Sequence, residues 1–238
     1  MVKEMDIEID KEKKINKKKE WIGLIVGYIG TLAGLFGIIW INQNVLMALP
    51  LVGRMIVMIA SRILLMIVPI LLMIICKDKL SDYGFTRKRL GLQIALGILL
   101  GLAMSIVLTL IPFLFGFGKY LGNDNGRYYT ELWQFAYDFL YLTVGVSLSE
   151  EFVFRGFIYE KIKRISGRDS ITVIVSSFMF GLLHLFGGNI IQVIVTSFMG
   201  ILFCLIRQKI RNCSLLTVII VHGIYDAMIT VWTAVFMV

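Results

Sequence analysis

The sequence predicts an all-α bundle of about seven transmembrane helices (six to eight), with its N-terminus in the cytoplasm. Composition is the first observation behind this reading. Of 238 residues, 58% are hydrophobic, 17% are charged and only 3 are proline; the mean hydropathy is +0.84. That inventory cannot cover a water-soluble domain with a polar surface. The second observation is that the apolar residues gather into runs of spanning length. The third is that the cations between those runs alternate in density along the chain.

The first 20 residues carry seven Lys and six acidic side chains, too charged for a cleavable signal peptide. They form a charged cytoplasmic tail, solvated or helical at the membrane surface. A spanning helix needs about 20 largely apolar residues. Seven stretches qualify, at 21–41, 50–76, 91–116, 133–160, 171–187, 190–206 and 214–237. Residues 21–120 thus hold N-terminal transmembrane helices, and 130–238 hold a second group. The second stretch is interrupted by Pro50, Arg54, Arg62 and Pro69, so 45–76 reads either as one span or as two short pieces. The pairs Gly23/Gly27, Gly30/Gly34 and Gly97/Gly101 read as helix-packing positions. Cys76, Cys204 and Cys213 fit neither a disulfide framework nor a metal pattern.

Lys and Arg number seven in the tail, five in 77–89, four in 161–168 and three in 207–211. The alternate loops hold only Arg54, Lys119 and Arg127. The positive-inside rule then places the N-terminus inside and the C-terminus outside, and it accounts for the net charge of +8 without nucleic acid. Trp21, Trp40, Trp133, Tyr128 and Tyr129 fall where the interfacial aromatic belts belong.

Charge inside a bilayer is costly, and such residues mark function by default. The fourth stretch contains Glu150, Glu151 and Arg155; the fifth contains His184, and the seventh His222 and Asp226. His184 and His222 are the only histidines in the chain. With a rise of about 1.5 Å per residue, Glu150, His184, His222 and Asp226 lie roughly 16, 21, 12 and 18 Å from the cytoplasmic ends of their helices. Three helices therefore deliver polar groups to one layer. Ser177, Gly181 and His184 share a helix face; the Gln192, Thr196 and Gly200 face reads equally as packing or as part of a site.

A buried carboxylate and an imidazole are the parts needed to activate water. Glu151 and Arg155 are four apart and can pair on one face, while Glu150 points about 100° away. This makes Glu150 the candidate base and Glu151–Arg155 a supporting pair. His222 with Asp226 can orient water or stabilise an oxyanion. Alternatively, Glu150, His184, His222 and Asp226 make up a divalent-metal set, with zinc the candidate. The helical zinc-protease motif HExxH is absent.

Glu150-Glu151-x-x-x-Arg155, Phe180-x-x-x-His184 and His222-x-x-x-Asp226 resemble the three ordered motifs of the CPBP intramembrane proteases. These comprise the type II CAAX prenyl proteases and the bacterial Abi relatives linked to bacteriocin processing and self-immunity. The resemblance covers roughly 130–230 and implies hydrolysis of a peptide bond in a membrane-associated peptide or protein. It gives water activation to Glu150 and His184, and oxyanion stabilisation or metal binding to His222 and Asp226. Asp226 stands where many members have Asn. An anion donates no hydrogen bond, so Asp226 suits the orienting of His222 better than the holding of an oxyanion. The short chain looks bacterial, which points to a multi-pass protein of the cell membrane.

Two other classes compete. A non-catalytic membrane partner, tuning a sensor kinase or transport complex, would be expected to have lost motif residues, and here all are present. An ion-coupled transporter would be expected to show inverted halves, and none is visible. Arg62 either lines the cavity and meets a substrate carboxylate or pairs with Glu150 or Glu151.

Overall fold

A computed structural model describes residues 2–117, 129–186 and 188–236. Tyr128, Lys119 and Arg127, assigned above to an interface and a loop, lie outside the described residues. Every regular element among the described residues is helical. Helix α1, Val2–Asn44, takes in both the charged tail and the first apolar run. Helices α2 (Leu51–Ser61) and α3 (Ile67–Cys76) are joined by a tight turn, Arg62–Leu65. Helix α4 starts at Leu90–Ser105 and continues through wider turns to Phe117. Helix α5 runs over 132–166, followed by α6 (Asp169–Leu183), α7 (Ile190–Lys209) and α8 (Leu215–Phe236).

Five of these helices are long and apolar enough to cross a membrane. The α2–α3 pair, bent by 46°, makes a sixth if it crosses as one span. Helix α5 is not among them, and it is the helix that carries Asp138, Glu150, Glu151 and Arg155. Within 45–76 the chain forms two short helices with a bend between them. The cause of the bend is Pro69, which has no N–H to offer the carbonyl of Leu65 one turn earlier. That carbonyl is met from the neighbouring helix by the Thr31 hydroxyl at 3.3 Å.

Contacts between loops show which helix ends lie together. Lys161 Nζ is 2.7 Å from Glu20, and Arg164 is 3.7 Å from Asp78. The amide of Leu215 donates to Gly84 O at 3.0 Å, and Arg89 donates to Asn212 Oδ1 at 3.2 Å. The end of the tail and the 77–89, 161–168 and 207–211 loops therefore share one basic end. At the other end, Tyr129 donates to Asp138 and contacts the Thr230 hydroxyl. The helices alternate between the two ends. Outward residues such as Ile25, Phe36, Leu99, Ile194 and Phe198 are exposed, which suits lipid and not water.

The core is built around α5. Phe152, Val153, Phe154, Phe157 and Ile158 are at most 5% exposed and pack against α1, α3 and α6. Close backbone approach joins α4 to α8: a Cβ on Gly101 would stand 2.9 Å from Val221 O. The Ser177/Gly181 and Gly200 faces also meet, since a Cβ on Gly200 would lie 3.1 Å from the Ser177 Cα. Thr196 returns its hydroxyl to Gln192 O within its own helix. On this face Gly200 packs against α6, while Gln192 is exposed.

Candidate active site

Glu150 and Glu151 occupy a single ordinary turn, Leu148–Glu151, between two wider i→i+5 stretches, Tyr141–Ser147 and Phe152–Ile158. Wide turns of this kind are rare and collect at functional sites. They loosen backbone carbonyls, which then need other donors. Ser149 Oγ donates to Gly145 O and Val146 O, both at 2.9 Å. Ser147 Oγ donates to Thr143 O and, across the helix interface, to Ile219 O of α8. Arg207 of α7 donates to Arg155 O.

Four ionisable side chains meet below this turn. Arg155 Nη1 lies 3.0 Å from Glu151 Oε1, and both residues are fully buried. The same carboxylate oxygen is 2.8 Å from His222 Nδ1. His222 Nε2 is 3.2 Å from Asp226 Oδ2. Both ring nitrogens thus face carboxyl oxygens, and with both carboxyls ionised it is the imidazolium, with two N–H donors, that satisfies them. With His222 charged, the two carboxylates and two cations sum to zero, which a low-dielectric interior favours.

Aromatic rings enclose the cluster. The Arg155 guanidinium lies 4.1 Å from the Phe180 ring centroid and 5.2 Å from that of Phe203. Phe203 also stacks on His222 at 4.8 Å. Ring contact replaces part of the solvation that Arg155 lacks, since its nitrogens make no well-directed hydrogen bond among the described residues. Gly200 leaves the room: a Cβ there would be 3.0 Å from Arg155 Nη2.

Glu150 stands apart from this network. It is 6% exposed, and no described residue donates to its carboxylate or pairs with it. His184 lies where α6 tightens into the turn His184–Phe186. Its Nδ1 is 3.2 Å from Phe180 O, an atom that can only accept, so Nδ1 carries the proton and Nε2 its lone pair. The Phe180 ring separates the two histidines, 4.9 Å from His184 and 6.2 Å from His222 between centroids. The structure therefore brings together Glu151, Arg155, His222 and Asp226, and no hydrogen bond joins Glu150 to His184.

The proposed metal set does not assemble in this arrangement. Among the described residues no three His, Cys, Asp or Glu side chains converge as ligands, and His222 has no free nitrogen. These residues as placed do not fit zinc, and no step below is routed through it.

Of the two readings of Arg62 the ion pair falls away: it pairs with neither Glu150 nor Glu151, but hydrogen-bonds the Tyr141 hydroxyl and lies 5.4 Å from that ring. The loop assignment of Arg207 is corrected. Arg207, counted above with the loop cations, turns inward to Arg155 O, to Glu160 at 2.5 Å and to the Tyr159 ring. Gly84, at φ +90°, leaves it space that a side chain would fill. Residue pattern gave no sign of this, because Arg207 sits among other cations at a helix end. Phe203 was equally hidden, one phenylalanine among 16.

Residues 132–228 match the family model described as Type II CAAX prenyl endopeptidase Rce1-like. The matched segment contains all three motifs, and it supports the resemblance they carry. The match indicates a protease, and the apolar helices indicate a multi-pass membrane protein. No curated protein and no solved structure is similar enough to this chain to count as a match.

Proposed function

Proceeding from the match over 132–228, we propose that the chain is an intramembrane endopeptidase using Glu150 as its general base. The observation that carries this reading is the unengaged Glu150 carboxylate, one residue from a charge-balanced cluster that holds its helix in place. Water attacks the scissile carbonyl carbon while one of its protons passes to Glu150. His184 Nε2, with its lone pair free, accepts the other O–H and fixes the direction of attack. Glu150 then returns the proton to the departing amine nitrogen as the C–N bond breaks.

Glu151, Arg155, His222 and Asp226 act as positioning residues. His222 is held from both sides, so its use as an oxyanion donor would break an existing contact. The substrate is a peptide precursor or the tail of a membrane protein in a bacterial cell membrane, cleaved from the cytoplasmic side. Bacteriocin processing or self-immunity is the matching physiological role.

The test uses the purified chain, Glu150→Gln and His184→Ala on membrane-anchored peptides, with products read by mass spectrometry with and without chelator. Loss of about 10²–10⁴ in rate in both folded variants is expected from removing acid–base groups. Wild-type cleavage that survives in Glu150→Gln overturns the assignment, and chelator sensitivity overturns the metal-free route.

A further inference from the structure

At the basic end, where α4 and α8 begin, lies a cavity of about 330 Å³ lined by Thr86, Lys88, Arg89, Arg211, Asn212 and Cys213. Three of its six walls are cationic and none is acidic. The other inward cations of this end are neutralised: Lys161 and Arg164 by Glu20 and Asp78, and Arg207 by Glu160. Lys88, Arg89 and Arg211 have no carboxylate within ion-pair distance among the described residues. Arg89 meets only a neutral acceptor, Asn212 Oδ1. Both of these residues hold the left-handed backbone conformation, at φ 54° and 66°. Residues other than glycine seldom adopt it, and both of these line the cavity.

The surface below the cavity is apolar. Helix α4 buries Gln93, Gly97 and Gly101 against α8 and turns Leu90, Ile94 and Ile98 outward, at 43%, 44% and 40% exposure. These three are four residues apart and form one row down the helix from the mouth of the cavity. A cationic cup at headgroup depth above an apolar track is the shape of one ligand class. We propose that the cavity binds the headgroup of an anionic phospholipid, with an acyl chain along Leu90, Ile94 and Ile98. Ser214 donates to Gln93 beside the cavity, so the lipid clamps the α4–α8 pair where it is already joined.

The full chain in zwitterionic phosphatidylcholine is titrated with phosphatidylglycerol, and bound lipid and melting temperature are read by native mass spectrometry and calorimetry. Wild type retains phosphatidylglycerol in preference to phosphatidylcholine and melts higher with it. At roughly fivefold per cation near an anionic surface, Lys88→Gln/Arg211→Gln weakens apparent affinity by about 25-fold. Lys17→Gln/Lys18→Gln removes the same charge from exposed tail positions that do not line the cavity, and weakens affinity clearly less than the cavity pair. Lys88→Arg/Arg211→Lys restores binding if the double Gln variant folds poorly. Equal retention of both lipids overturns the proposal, as does equal weakening by the tail variant. Stabilisation by inorganic phosphate alone, lost in the Lys88/Arg211 variant, makes the site one for soluble anions and overturns the lipid assignment.

Discussion

Arg155→Met is the most informative perturbation of the buried cluster. It keeps the stem volume and deletes one charge of four. Glu151 would then sit fully buried with His222 as its sole cationic partner, and the cluster would carry a net negative charge. Removing one partner of a buried pair costs about 3–5 kcal/mol, because the other charge is left uncompensated. For a chain of this size each kcal/mol moves the midpoint by about 2–4 °C, so a drop of about 6–20 °C is expected. Adding Glu151→Gln removes the stranded charge, and the double variant recovers about 1–3 kcal/mol relative to the sum of the singles. The assay is reversible unfolding in mild detergent, followed by circular dichroism for all four proteins of the cycle. Additive effects, or an Arg155→Met variant within about 1 kcal/mol of wild type, would refute the charge-balance argument.

Other consequences can be measured directly. Gly101→Ala pushes a methyl to within 2.8 Å of the Ile224 Cβ and destabilises by about 1–3 kcal/mol in the same assay. Burial and the 2.5 Å hydrogen bond to Asp78 raise the Tyr83 phenol above its ordinary value. The unfolded chain therefore releases this proton near pH 10 while the folded one keeps it, so stability is retained below about pH 10 and falls above it. Tyr83→Phe should flatten that loss when midpoints at about pH 9 and about pH 11 are compared. For topology, an impermeant thiol reagent on intact cells should label Thr130→Cys and leave Lys18→Cys unlabelled. The reverse pattern would invert the orientation.

The sequence revealed chemistry better than geometry. Glu151, Arg155, His222 and Asp226 announced themselves because ionisable groups in apolar runs have few explanations, and i,i+4 spacing fixes which share a face. The alternation of loop cations similarly foretold which helix ends lie together. Hidden features depend on contacts between distant segments. The wide turns flanking Glu150 have no residue signature; Ser147, Ser149 and Arg207 donate to carbonyls within them, at Thr143, Gly145 and Arg155. Pro69 signalled a bend, yet only the Thr31 hydroxyl shows how that bend is tolerated in an apolar setting. Arg62 was recognisable as out of place, and its neutral partner Tyr141 was not.

Helix α5 reaches the membrane during synthesis long before α8, the source of His222 and Asp226. For that interval two carboxylates and a guanidinium must be held without half of their eventual partners. The i,i+4 pairing of Glu151 with Arg155 neutralises one carboxylate inside the segment itself, and the earlier helices supply a wall to lean on. Biogenesis therefore has an order: a product ending before α8 keeps its most polar helix waiting for His222 and Asp226. The same polarity that equips this helix for chemistry makes the arrival of α8 the moment at which its charges are balanced.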